Sequence, residues 1–345
     1  MKRILFLGAI AKHDDLIVGG EVAKSRVTYK YLKSKYNVKV VDTYWKRKNA
    51  LQGVYHRYFK KTVSIARIIL FGLWADEILL VNCHGNYVRL INKIGVIKKL
   101  KIIGIGNLVA EHAISTGIEA EVWSKTAGIY VESEEMISDL RNVGIYNGKI
   151  LLNYKELPSC TFPDIISKKE KLSLFYIGRI CEEKGIDCVL SALDKINQEK
   201  IIVEFHLYGI FENGYEEKSK IKERGDVVYH GAINLIDGIS EYDKLKQHDI
   251  FVFPSKWKAE SISSAMIDAV ALGKPILATD LNLNYLFINE TDINGFLFPI
   301  DDSDKLREYI EFFYFNQEYI SKYGMSSYRV ADKFRVENAI KALDL

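Results

Sequence analysis

The run Gly178-Arg179-Ile180-Cys181-Glu182-Glu183-Lys184-Gly185 sets two cations between a strand-like stretch, Leu172–Ile177, and a helical one that begins near Gly185. Glycine at a strand end lets the backbone approach a ligand closely. A helix N-terminus adds unpaired N–H donors, and Arg and Lys add full charges, so the segment suits a diphosphate. A surface turn with incidental charges is the plainer alternative. A second segment, Phe251-Val252-Phe253-Pro254-Ser255, leads through a polar loop holding Glu260 into a helical stretch, Ser263–Leu272, that carries Asp268. Glu260 stands ahead of that helix, where a carboxylate can accept from sugar hydroxyls, and Asp268 lies about two turns further on. The backbone N–H groups of Ser261, Ile262, Ser263 and Ser264 are helix-start donors for phosphate or hydroxyl oxygens. The spacing of the two acids alone does not separate this reading from a helix with solvated acids.

These segments sit in a chain of alternating elements. The apolar runs Arg3–Leu7, Val38–Val41, Glu77–Val81, Lys101–Ile105, Gly128–Val131 and Lys149–Leu152 are separated by helical patterns such as Glu21–Lys35, Asn86–Lys99 and Glu134–Val143. The alternation stops near Asn153 and resumes with Leu172–Ile177, Val203–Tyr208, Val227–Tyr229, Ile250–Phe253 and Ile276–Ala278. Apolar strands alternating with amphipathic helices predict parallel sheets covered on both faces. The expected fold is α/β, with two Rossmann-like doubly wound domains facing each other across a cleft at their strands' carboxyl ends. The predicted boundaries are residues 1–155, a linker at 156–170, a second domain at 171–320, and terminal helices at 321–345 that cross back to the first domain.

A length of 345 residues suits two such domains, and 48% hydrophobic with 27% charged residues is the make-up of a globular protein. Ile4–Leu7 is too short for a signal-peptide core, and Ile68–Ala75 is too short to span a bilayer. Cys83, Cys160, Cys181 and Cys188 show no metal-ligand spacing and read as reduced thiols in a cytoplasmic protein. Residues 1–150 carry 24 Lys and Arg against 13 Asp and Glu, a net charge of +11, whereas the remainder is at −8. From Trp45 to Trp74 there are seven basic residues, no acid, and many aromatic and aliphatic ones. That mixture suits a peripheral helix on the inner, anionic face of a membrane, or an ordinary basic helix covering a sheet. Nucleic acid is not an expected partner, because no recognition module accompanies the patch.

The ordered set Gly-Arg-x4-Lys-Gly, Pro-Ser-x4-Glu-x7-Asp-Ala-x3-Gly-Lys-Pro and Asn294-Gly295-Phe296-Leu297 with Pro299 and Asp301 resembles the donor half of glycosyltransferase family 4. The resemblance is strong from Leu172 to about Asp304 and diffuse before that. It implies the GT-B architecture and a retaining hexosyltransferase that needs no metal or other cofactor. The expected donor is a UDP-linked sugar, and the expected acceptor is a glycan or lipid-linked glycan of bacterial surface polysaccharide. By the same resemblance Arg179 and Lys184 neutralise the donor diphosphate, Glu260 holds sugar hydroxyls, Asp268 holds ribose hydroxyls, and Gly19-Gly20 meets the donor from the first domain.

The chain departs from the family where the second acid is Asp268 instead of Glu, and where Ser261 and Ser263 replace glycines. The family's histidine after the fourth strand is also absent. His84 is the nearest substitute, followed by His112, and Glu132 resembles an acid at the cleft edge. These departures keep open a non-catalytic nucleotide-sugar-binding subunit. An epimerase of the same architecture and a membrane-bound scaffold are the remaining rivals.

Overall fold

Stretches such as Ile4–Leu7 and Ile250–Phe253 are apolar on both sides of the pleat, so only the middle of a sheet covered on both faces can hold them. The computed structural model of the protein describes residues 1–10, 20–43, 61–158, 168–212, 214–216, 220–233, 235, 239–258 and 260–345. The chain forms two units, Met1–Lys155 with Val336–Leu345, and Glu156–Arg335.

The first unit holds β1 (Arg3–Gly8), β2 (Asn37–Asp42), β3 (Glu77–Val81), β4 (Leu100–Ile103), β5 (Gly128–Val131) and β6 (Gly148–Ile150). Its helices are α1 (Gly20–Lys35), α2 (Lys61–Trp74), α3 (Gly85–Lys93), α4 (Val109–Ser115), α5 (Ala120–Ser124) and α6 (Glu134–Asn142). The strands pair in parallel in the order β2-β1-β3-β4-β5-β6. Winding reverses between β1 and β3, and in open α/β sheets such a reversal leaves a crevice at the strands' carboxyl ends. One face of the sheet buries Leu80, Ile102, Trp123 and Leu140, and the other buries Phe6, Leu79, Tyr130 and Tyr154.

The second unit holds β7 (Leu172–Ile177), β8 (Val203–Tyr208), β9 (Val227–Tyr229), β10 (Ile250–Phe253), β11 (Ile276–Thr279) and β12 (Gly295–Phe298). With them are α7 (Ile186–Ile196), α8 (Ile239–Lys246), α9 (Ser264–Ala271), α10 (Ser303–Phe315) and α11 (Glu318–Ala331). The order β12-β11-β10-β7-β8-β9 is again all parallel, and its reversal lies between β7 and β10. The loops after these two strands carry the two segments singled out in the sequence. β12 was not among the expected strands; Gly295 in it lies so close to Ile276 that an added Cβ would stand 2.0 Å from the Ile276 carbonyl oxygen.

The expected terminal division at residue 320 is corrected. α11 stays with the second unit, because Phe296 of β12, Phe312 and Phe313 of α10, and Tyr323 of α11 pack as one aromatic cluster. Only Val336–Leu345, which includes α12 (Val336–Ala339), joins the first unit. There Val336, Ile340 and Leu343 are buried, and Lys101 Nζ donates to the carbonyls of Leu343 at 2.8 Å and Asp344 at 2.9 Å.

Three histidines meet on the second sheet. His206 Nδ1 and His230 Nε2 share a proton at 2.9 Å, while His248 is bound by Ser173 Oγ at 2.6 Å and Tyr208 Oη at 2.8 Å. Burial first, then the neighbouring imidazoles, push His248 down to about 3, and burial lowers His206 and His230 as well. Between the lowered folded values and the ordinary one near 6.5, the unfolded chain binds protons that the folded one does not. Stability therefore falls as pH drops through that window and is fully present above it. Chemical denaturation from pH 7 to pH 4 should show a loss of up to about 1.4 kcal/mol per pH unit for the buried His248 proton, with less from the exposed, solvent-screened His230, and His248→Gln should flatten the profile.

Candidate functional site

Where winding reverses in the second domain, the backbone after β7 is held open by glycines. Gly178 has φ +153°, and a side chain there would meet Tyr176 Oη at 2.5 Å. Its neighbour Gly209, after β8, has φ +155°, and an added Cβ would stand 1.7 Å from the Gly178 carbonyl oxygen. Gly185, at φ +65°, leads into α7 against Pro254, where an added Cβ would lie 2.0 Å from a carbonyl oxygen. Only glycine fits these left-handed, crowded positions. The chain can thus present Arg179 and Lys184 while the loops after β7 and β10 touch.

The two segments are brought together. Lys184 is 7% exposed and forms an ion pair with Glu260, whose Oε2 also accepts from the buried Ser255 hydroxyl at 3.1 Å. Arg179 pairs with Glu212, an acid that follows β8. Trp257 stands against both cations, 4.8 Å from the Arg179 guanidinium carbon and 5.5 Å from Lys184 Nζ. Asn282, at φ +49°, ties this loop down by donating to the carbonyls of Trp257, Lys258 and Glu260. Each expected cation therefore already faces a carboxylate. Trp257, Glu212 and Gly209 were not identified from sequence, although a tryptophan within a doubly cationic motif and a glycine directly after a strand are both visible there.

Asp268 is 2% exposed on α9, and its Oδ1 accepts from Tyr242 Oη of α8 at 2.6 Å. Burial, and then the adjacent carboxylate, push that phenol far above its ordinary value, so it remains a donor. The helix that carries Asp268 begins at Ser264 with Ser263 as its N-cap. Ser261, Ile262 and Ser264 each take part in an interaction within the protein.

In the first domain the reversal between β1 and β3 is also furnished. Gly20 opens α1, and Glu21 in its first turn accepts from Asn82 Nδ2 at 3.0 Å and meets His84 Nε2 at 2.9 Å. Asn82 turns the chain with φ +69° directly after β3. Burial alone would raise the Glu21 carboxyl, but the hydrogen bonds from His84 and Asn82 outweigh it and hold its pKa below the ordinary value. Glu21 was missed from sequence because nothing there pairs it with a residue 63 positions away. Gly19 lies outside the described residues, as do Cys160 and residues 45–60.

Glu132 corrects the expectation of a cleft-edge acid. It is 5% exposed and bound to the equally buried Lys24 at 3.0 Å, so its charge is neutralised inside the domain. His112 lies in the last turn of α4. Among the described residues, His206, His230 and His248, and separately Cys181, Glu183 and Glu212, bring potential metal-ligand atoms within 4.8 Å of one another. In the first group both nitrogens of His248 already carry hydrogen bonds; in the second, burial pushes the Cys181 thiol up to about 11 and Glu212 is held by Arg179.

Residues 161–329 match the family described as Glycosyl transferases group 1. A Klebsiella pneumoniae protein, the uncharacterized 41.2 kDa protein in the cps region, is 22% identical over 65% of this chain and 63% of its own. The O-antigen chain mannosyltransferase C of Escherichia coli is 23% identical over 48% of this chain and 44% of its own. The chain thus spans less than two thirds of the length of these curated relatives. Among solved structures, Anabaena HepE in complex with UDP and glucose aligns over 100% of this chain and 98% of that one, at a TM-score of 0.66 and 14% identity. The lipopolysaccharide outer core galactosyltransferase WaaB aligns over 99% and 98%, at 0.63 and 13%. These likenesses show the GT-B fold. The match to the glycosyl transferases group 1 family thus falls within the second domain of this chain.

Proposed function

We propose that the protein is a retaining, metal-independent hexosyltransferase of the family 4 type. It moves a sugar from a UDP-linked donor to a hydroxyl of a glycan or lipid-linked glycan in surface polysaccharide synthesis. The observation that carries this reading is the joining of Arg179, Lys184 and Glu260 at the β7/β10 reversal. The names of the O-antigen mannosyltransferase and of the cps-region protein, and the UDP held by HepE, support the substrate class.

On this reading the diphosphate enters beside Gly178, and its oxygens take Arg179 from Glu212. Lys184, sheltered by Phe253 and Trp257, faces the charge that grows on the leaving phosphate as the glycosidic bond breaks. A cation held in a water-poor site stabilises such charge without reorganising. Glu260 keeps one oxygen on Lys184 and Ser255 and offers the other to donor hydroxyls. The departing phosphate oxygen can take the acceptor's proton on the same face, so no enzyme base is required. His84, steadied by Glu21, receives an acceptor or donor hydroxyl on the first domain's side.

Release of UDP or GDP from a panel of nucleotide sugars, with and without glycan acceptors, tests the reading. Lys184→Ala should lower kcat/KM at least about 100-fold, close to 3 kcal/mol of transition-state stabilisation. Activity that survives both Lys184→Ala and Glu260→Ala overturns the assignment. Nucleotide binding without turnover, with any acceptor, would favour the partner-subunit reading that the closed Tyr242–Asp268 contact keeps in view.

Two further outcomes follow from the ion pairs. Glu212→Gln removes the competitor for Arg179, so calorimetry should find UDP bound up to about fivefold more tightly, the scale of a surface ion pair. Glu21→Gln keeps the shape but loses the fixed carboxylate. It should lower kcat while leaving the UDP-induced thermal shift unchanged, and it should alter the acid limb of the pH–rate profile.

A further inference from the structure

The helix α2 covers the first sheet with one side only. Ile68 and Ala75 are buried in the core, and Gly72 packs close to Ile94, where an added Cβ would lie 3.2 Å from Ile94 Cδ1. The opposite side is as apolar as a core. Ile65 and Ile69 are each 38% exposed, Leu70 is 65% and Leu73 is 60% exposed, and Ala66 is exposed between them. Spacings of four and eight residues put these side chains on one helical face. Single exposed apolar residues are ordinary, but a contiguous set on one helix marks an interaction surface.

The charges around that face select its occupant. α2 contains no acid, and Arg67 stands exposed within it. Lys39 of β2 lies with its ammonium 5.8 Å from the Phe71 ring, while the Arg3 guanidinium, 5.7 Å from the Trp74 ring, is neutralised by Asp76. The half of the chain that holds α2, residues 1–150, carries a net charge of +11. An apolar strip bordered by cations complements a surface with an oily interior and anionic headgroups. At 14 residues the helix is about 21 Å long and cannot cross a bilayer, which needs about 20 residues, so it would lie in the plane of the interface.

We infer that the Ile65–Leu73 face of α2 docks the first domain onto an anionic lipid bilayer. The inference stands apart from the catalytic reading, since a protein without transferase activity could dock in the same way. Cosedimentation with phosphatidylcholine vesicles containing about 30% phosphatidylglycerol should capture the full chain. Capture should weaken in pure phosphatidylcholine and at high salt. Leu70→Glu with Leu73→Glu should reduce partitioning more than about tenfold, because a charge now enters the apolar layer. The thermal shift given by UDP should stay as in the wild type, which reports separately on the donor site. Both positions are exposed, and the pair Leu70→Ser with Leu73→Ser decides the matter if the Glu pair fails to fold. Absence of vesicle binding, equal capture of wild type and variants, or a dimer in light scattering that the Leu70 and Leu73 variants dissolve would overturn the inference.

Discussion

A buried ammonium group is costly unless a fixed partner meets it, and Lys184 lies 7% exposed between Phe253 and Trp257. The second domain is arranged around answering that requirement. Glu260 supplies the opposite charge, the buried Ser255 hydroxyl holds the same carboxylate oxygen, and Thr279 of β11 donates to the Ser255 carbonyl at 2.6 Å. Asn282 then fixes the loop that carries Trp257 and Glu260. Loops from β7, β10 and β11 are thereby locked together at the point where winding reverses. The close approach of the first two is possible because Gly185 has no side chain to strike Pro254. Two charges, three strands and one glycine form a single unit.

The first domain meets the same topological opportunity with different chemistry. Its reversal between β1 and β3 brings together Glu21, Asn82 and His84, a carboxylate–imidazole pair in place of a cluster of cations. Behind it Lys24 and Glu132 neutralise each other, and Lys24 also lies 5.1 Å from the Tyr154 ring. The Lys24 ammonium is therefore neutralised inside the domain.

Much of this was legible in the chain, for reasons that can be located. Parallel strands buried on both faces announce themselves as apolar runs, and the Gly178–Gly185 segment combines backbone freedom with charge in eight consecutive residues. What stayed hidden depends on contacts across long sequence separations. Nothing local pairs Arg179 with Glu212, Glu21 with His84, or Lys24 with Glu132. β12 escaped notice because its pattern, Gly-Phe-Leu-Phe, lacks β-branched residues and is packed by aromatics from α10 and α11. The same cluster explains why α11 remains with the second domain while ten residues beyond it return to the first.

Asp268 gives the clearest case of a departure answered from elsewhere. Its side chain is about 1.5 Å shorter than that of Glu, and Tyr242 Oη stands 2.6 Å from its carboxylate. The short acid and the long aromatic partner thus meet at hydrogen-bond distance. A phenol whose pKa is driven upward by burial and by this carboxylate keeps its proton and donates it to the acid. The shorter acid thus finds its partner on α8, the helix that precedes its own.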